Sequence, residues 1–246
     1  MIVKSIQRNV VESHDFKSEI ATIDANEMRY ISSLLRNNYS NVVLATARET
    51  IANAVDANKG SSRDVEITAP TRLSPTFVVR DFGAGLSESD LFGLYTKYGR
   101  STKRSDNDSI GGFGIGRFAP LSYTDSFTVS SRHNGTEIVI SVYVDEHGDT
   151  RFTKLSDTST SEPSGVEISV AIKSEDISNF ESEINNVIRF SDEKFVCKGF
   201  SRLVPEWVIK NADWGVERNR RYDPTIVMGG ISYPLNLDNL ANHPIA

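Results

Sequence analysis

The chain has 246 residues, 38% of them hydrophobic and 24% charged, with a net charge of −6; such a composition can bury a core in one large domain, or in a domain with an appendage. The negative balance argues against bulk electrostatic attraction to DNA or an anionic membrane, although a local patch stays open, and the single cysteine, Cys197, excludes an internal disulfide framework and fits a reducing compartment. No run approaches the roughly 20 apolar residues needed to cross a bilayer, and His14, His133, His147 and His243 have no zinc-binding spacing.

In chain order, a loosely alternating start contributes a strand near Ser18–Ile23, and Ala25–Asn37 reads as a helix with Met28, Ile31, Leu34 and Leu35 on one side. Asn41 caps a second helix of about Val42–Asn58, and Gly60 stands where a helix C-terminus favours glycine. Asp64–Ala69 and Thr76–Asp81 have strand character and are joined by a turn with Pro70 and Pro75. The second strand runs into Asp81-Phe82-Gly83-Ala84-Gly85-Leu86, where a carboxylate at a strand end is followed by glycines that admit close backbone approach. Ser87-Glu88-Ser89-Asp90 opens a further helix.

Lys97–Asp108 is polar and bunches Lys97, Arg100, Lys103 and Arg104, the composition of a solvated loop or of a lid whose cations meet phosphate. Gly111-Gly112-Phe113-Gly114-Ile115-Gly116 then leads into a helix over Pro120–Thr124; glycines before a helix N-terminus make an anion-binding device. It follows a polar loop rather than a strand, which removes the context of a dinucleotide fingerprint, and no phosphate-loop motif of the G-x-x-x-x-G-K-[ST] type exists. Ser126–Arg132, Glu137–Val144 and Thr150–Leu155 alternate as a meander, Ser156–Pro163 reads as a polar loop, and Gly165–Lys173 as another strand. Asp176–Phe190 has helical spacing, and Phe195, Val196 and Phe200 mark a second short element, with Cys197 as a buried, inert thiol. Residues 199–246 differ in style, with Trp207, Trp214 and the basic cluster Arg218–Arg221, and read as an extension that begins a following domain of a longer protein.

Within the Val42–Asn58 helix, Glu49, Asn53 and Asp56 are spaced i, i+4, i+7, which at about 100° per residue places them within roughly a 60° arc. Such a face is either a solvated stripe or the lining of a pocket. An acid, an amide and an acid set among alanines favour the pocket.

Taken together, Glu49-x-x-x-Asn53-x-x-Asp56, Asp81-x-Gly83-x-Gly85 and Gly111-x-x-Gly114-x-Gly116 resemble the motifs of the GHKL (Bergerat-fold) ATPases, the group of gyrase B, Hsp90, histidine kinases and MutL. The resemblance covers roughly residues 40–195. It implies an α+β fold: a two-layer sandwich of a mostly antiparallel mixed sheet with helices on one face carrying an ATP pocket. It further implies Glu49 as the general base for the attacking water, Asn53 as the Mg2+ ligand, and Asp56 as a residue shaping the nucleotide site. Asp81 would accept from the adenine amino group, with Gly85 and Leu86 against the base. Lys103 resembles a lid lysine, and Gly111, Gly112, Phe113, Gly114, Ile115 and Gly116 would face the phosphates.

One departure is Gly165-Val166, where the family often has Gly-Thr; another is Arg117, where Hsp90 has an aromatic. The N-terminal style, the Tyr95–Lys103 segment and Met228–Pro234 resemble the rIIA-like proteins of tailed phages. The implied activity is slow Mg2+-dependent ATP hydrolysis with lid closure and ATP-promoted homodimerisation. It would take place in the cytoplasm (of the host, for a phage protein), peripheral membrane contact staying open, with ATP, ADP and a protein partner as ligands. The alternatives are a non-hydrolysing nucleotide-binding interaction module, or the ATPase part of a DNA-acting MutL/gyrase-like or chaperone-like protein.

Overall fold

The structure, a computed structural model, describes residues 33, 39–95, 116–218 and 224–235. The expected strand near residues 18–23, the helix over 25–37 apart from helical Ser33, the cationic segment 97–108 and residues 219–223 lie outside these, as do Lys103, Gly111, Gly112, Phe113, Gly114 and Ile115.

Helix α1 spans Val42–Ala57. Its start is fixed by Asn41, whose side-chain oxygen accepts the Leu44 amide at 2.9 Å; this satisfies one of the amides that have no partner inside the helix and stabilises it by about 1 kcal/mol. Ala47 and Ile51 are fully buried and Val43, Ala54 and Val55 nearly so. Truncating Ile51 to alanine would cost about 2–5 kcal/mol in lost transfer energy and cavity.

Among the described residues the sheet has seven strands in the order β5-β4-β3-β6-β2-β1-β7: β1 Val65–Thr68, β2 Thr76–Arg80, β3 Ser126–His133, β4 Thr136–Val144, β5 Thr150–Ser159, β6 Gly165–Ala171 and β7 Phe195–Lys198. Every neighbouring pair is antiparallel except β1–β7, which is parallel. Side chains alternate across the pleat: Val65 and Ile67, Phe77 and Val79, Phe127 and Val129, and Ile138, Ile140 and Val142 are buried toward one side, in one cluster with the apolar face of α1. Helix α3, Ile177–Ile188, adds Phe180, Ile184, Val187 and Ile188 to that cluster, and the short α2, Pro120–Tyr123, adds Leu121. The two-layer α+β sandwich with a mostly antiparallel sheet is therefore the architecture, as expected.

Two boundaries differ from the sequence reading. β5 continues to Ser159 through residues expected to be loop, because Thr136–Val139 of β4 offers it partners past a bulge at Val139/Ile140. Ser87 and Asp90 form a reciprocal capping box, but the α-helical turn they open covers only Glu88–Asp90 and continues as a π-helical turn over Leu91–Tyr95. Beyond β7, β8 (Trp207–Lys210) pairs with β9 (Gly215–Glu217), and β10 (Thr225–Met228) with β11 (Ile231–Pro234). Ile231 is fully buried in the same apolar cluster as α3. Cys197 is partly buried in β7, and burial raises its thiol pKa. Among the described residues, no helix is long and apolar enough to cross a membrane.

Candidate functional site

The polar face of α1 is graded. Asp56 is buried and its carboxylate meets the Lys59 ammonium at 3.2 Å. Asn53 and Glu49 are partly exposed. A stripe whose most buried member is an acid is not a solvated face.

One end of the site is built around Asp81, which follows β2 and is 4% exposed. Its Oδ1 accepts the Gly83 amide at 2.9 Å and the Val166 amide at 3.3 Å, while its own amide donates to the Val166 carbonyl at 2.9 Å. Val166 therefore contributes through its backbone, and the hydroxyl that a threonine would carry there is replaced by a methyl group. The Asp81–Leu86 turn is held from three sides. Asn58, the C-cap of α1, accepts the Phe82 amide on its Oδ1 at 2.8 Å and donates from Nδ2 to the Arg63 carbonyl at 2.7 Å. Ser131, 1% exposed, accepts the Leu86 amide at 2.7 Å and donates to the Leu86 carbonyl at 2.8 Å. His133 Nδ1 lies 2.8 Å from the Ala84 carbonyl. Gly85 has φ +72°, and a Cβ there would come within 2.1 Å of the Arg132 carbonyl oxygen. The turn thus lies on β3 with no room for a side chain at residue 85.

The other end is built around Glu49, whose side chain is 27% exposed and so within reach of water. A Cβ on Gly116 would lie 2.3 Å from Glu49 Oε2. The last glycine of the glycine-rich segment therefore rests directly on the carboxylate. From Gly116 the backbone turns through a 3-10 segment, Gly116–Phe118, into α2, whose N-terminal side is tied to α1 by the buried Thr46 hydroxyl facing the Ala119 carbonyl at 3.5 Å. Arg48 Nε stands 3.5 Å from Glu49 Oε1. The phenols of Tyr39 and Tyr233 are both pushed up, first by burial and then by the Glu49 charge, with Arg48 pulling the other way.

The structure thus joins Glu49, Asn53 and Asp56 on one helix, with Gly116 against Glu49, and ties the Asp81–Leu86 turn to the end of that helix through the Phe82 amide on Asn58. Lys103 and the glycine-rich residues before Gly116 are outside the described residues. Sequence reasoning did not single out Asn58, Ser131, Tyr39 or Tyr233. Asn58 carried a weak signal as a capping residue type; the others become neighbours of the site only through tertiary structure. Among the described residues, no group of three or more His, Cys, Asp or Glu is placed to hold a metal. The donor set fits a hard ion bound through one amide oxygen, Asn53, together with a ligand's phosphates.

A profile of the family described as histidine kinase-, DNA gyrase B- and HSP90-like ATPase matches residues 39–179, which is more than half of the chain. No curated protein matches the chain. The matched span holds Glu49, Asn53, Asp56, Asp81, Gly85, Leu86 and Gly116.

Proposed function

The chain belongs to the histidine kinase-, DNA gyrase B- and HSP90-like ATPase family, an ATP-binding family, and on that premise we propose that it is a slow, Mg2+-dependent ATPase. The observation that carries the reading is the contact between Glu49 and Gly116: a carboxylate open to water and the end of a glycine-rich segment meet at one point. In this reading Glu49 orients a water and accepts its proton as the water attacks the terminal phosphorus; the bond to the bridging oxygen breaks and ADP leaves with that electron pair. Proton acceptance by a positioned group is worth roughly 10²–10⁴ in rate. Asn53 is one turn along the same face and would hold Mg2+, which when bound would supply charge neutralisation at the phosphates. Asp56 shapes the site from its buried position. Asp81 accepts from the exocyclic amino group of adenine, with Gly85 and Leu86 against the ring, and Val166 in place of threonine gives one fewer hydrogen bond to that network.

On the sequence resemblance alone, Gly111–Gly116 would offer amides to phosphate and Lys103 would serve as a lid lysine, with ATP-linked homodimerisation as the consequence. The narrower assignment, to the rIIA-like proteins of tailed phages, rests on the style of the N-terminus and on the Tyr95–Lys103 and Met228–Pro234 segments.

A second reading, a nucleotide-binding module without turnover, is favoured by one observation, the Arg48 guanidinium standing against Glu49. Calorimetric titration with ATP and ADP alongside phosphate release separates the two. We expect Glu49→Ala to keep ATP affinity within about twofold and to lose hydrolysis by about 10²-fold or more. Equal hydrolysis by the variant would remove Glu49 as the base, and ATP binding without phosphate release by the wild type would establish the second reading.

A further inference from the structure

The β10–β11 hairpin is docked by its inner strand. Ile231 is fully buried and Ser232 4% exposed, whereas the β10 residues Ile226, Val227 and Met228 are 44%, 43% and 52% exposed. Tyr233 lies two residues beyond Ile231 and so shares its face of the strand, the face turned to the rest of the domain. There its ring meets Arg48 of α1: the guanidinium carbon is 5.2 Å from the ring centroid, within the range of a cation–π contact. Arg48 is 19% exposed, so the long side chain has few alternative positions. Its Nε is 3.5 Å from Glu49 Oε1, and the other carboxylate oxygen, Oε2, faces Gly116.

We propose that Tyr233 is a positioning residue for the Glu49 carboxylate: its ring fixes the Arg48 guanidinium, which fixes the carboxylate between itself and the Gly116 turn. A segment 184 positions from Glu49 in sequence thereby becomes part of the hydrolytic end of the site, and docking of the C-terminal hairpin sets how well that end works. The raised phenol pKa values of Tyr39 and Tyr233 agree with this placement, since both respond to the Glu49 charge. Among the described residues the cation stacks on Tyr233 and not on Tyr39, which is why the role falls to Tyr233. The inference rests on the reading of Glu49 as the base.

The test compares Tyr233→Ala and Tyr233→Phe in the full chain. Loss of one cation–π contact predicts a fall in kcat of about two- to fivefold for Tyr233→Ala, with KM and the calorimetric ATP affinity unchanged. Tyr233→Phe keeps the ring face and restores the rate, which a hydroxyl-dependent role would not give; a purely structural role would instead lower ATP affinity along with kcat in Tyr233→Ala. Unchanged kcat in Tyr233→Ala, a rise in KM matching the loss, or failure of phenylalanine to restore the rate would each overturn the proposal.

A second measurement reads the same contact without turnover. The ring signal of Tyr233 in isotope-labelled protein should titrate at lower pH in Glu49→Gln than in the wild type, because removing the carboxylate charge removes one cause of the raised phenol pKa. Identical titration in the two proteins overturns the placement. A wild type that shows this coupling and binds ATP, yet releases no phosphate, overturns the hydrolytic reading alone.

Discussion

The two ends of the candidate site are held by different means. Around Asp81 the contacts are backbone amides and carbonyls: Gly83, Val166, Phe82, Leu86 and Ala84 each present main-chain atoms to a side chain or to one another. Among the described residues, Glu49 has Arg48 Nε at 3.5 Å and the backbone of Gly116 against its carboxylate, and its charge acts on the phenols of Tyr39 and Tyr233. Main-chain contacts of this kind resist rearrangement because moving one displaces a strand. Side-chain contacts can change rotamer without changing the fold. The first end is suited to recognising a rigid group, and the second to a step in which charge moves.

This contrast is broken most directly at Gly85. Gly85→Ala must leave a positive φ that costs roughly 1–2 kcal/mol for a residue with a Cβ, and must also push against the Arg132 carbonyl at 2.1 Å. We expect a loss of at least about 3 kcal/mol in stability, read as a fall in melting temperature, together with lost ATP binding. A variant as stable as the wild type would show that the turn is not locked.

Next in size is Asp81→Asn. One oxygen can still accept the Gly83 amide, so the fold should hold within about 1 kcal/mol, while ATP affinity falls about tenfold or more, because an amide presents fewer acceptor sites than a carboxylate. Calorimetry beside thermal unfolding separates these effects. A matched drop in both would mean that Asp81 only supports the turn.

The smallest effect is at Tyr123, away from both ends. Its hydroxyl donates to Asp176 Oδ2 at 2.8 Å and accepts the Lys173 amide at 3.0 Å, and burial first, then the neighbouring acids, push its pKa up to about 12. The folded state therefore holds this proton more tightly than the unfolded chain, whose phenol titrates near pH 10. The contribution to stability is complete below about pH 10 and is lost as pH rises toward 12. Stability followed against alkaline pH should show this slope in the wild type and lose it in Tyr123→Phe, with neither end of the site affected at neutral pH.

Much of the α1 side was legible in the sequence, because local rules governed it: Asn41 as the cap, the period of the apolar positions, and Glu49, Asn53 and Asp56 on one arc. Asp81 at a strand end before glycines was legible for the same reason. The second half of β5 is not legible locally, because an edge strand with exposed faces carries the polar residues of a loop, and only its pairing with Thr136–Val139 shows its length. Ser131 reads as an ordinary polar position in an alternating strand. That it receives Leu86 from a turn 45 residues earlier depends on β3 lying beside that turn, a tertiary fact without a local signature. In the sequence Tyr233 is one residue of a tail segment, and its place over Arg48 follows from the burial of Ile231.

Asn58 connects these regions in a further way. By capping α1 and holding the Phe82 amide, it ties one end of the helix to the end of β2, while Gly116 abuts the helix at Glu49. Nine residues at 1.5 Å separate Glu49 from Asn58, an axial distance of about 13 Å that α1 cannot shorten or stretch without breaking hydrogen bonds. The helix therefore works as a gauge. In the proposed reading, a ligand too short to span it would touch one end or the other, and only one that bridges the interval would engage both together, so molecular length itself would become something the site reads.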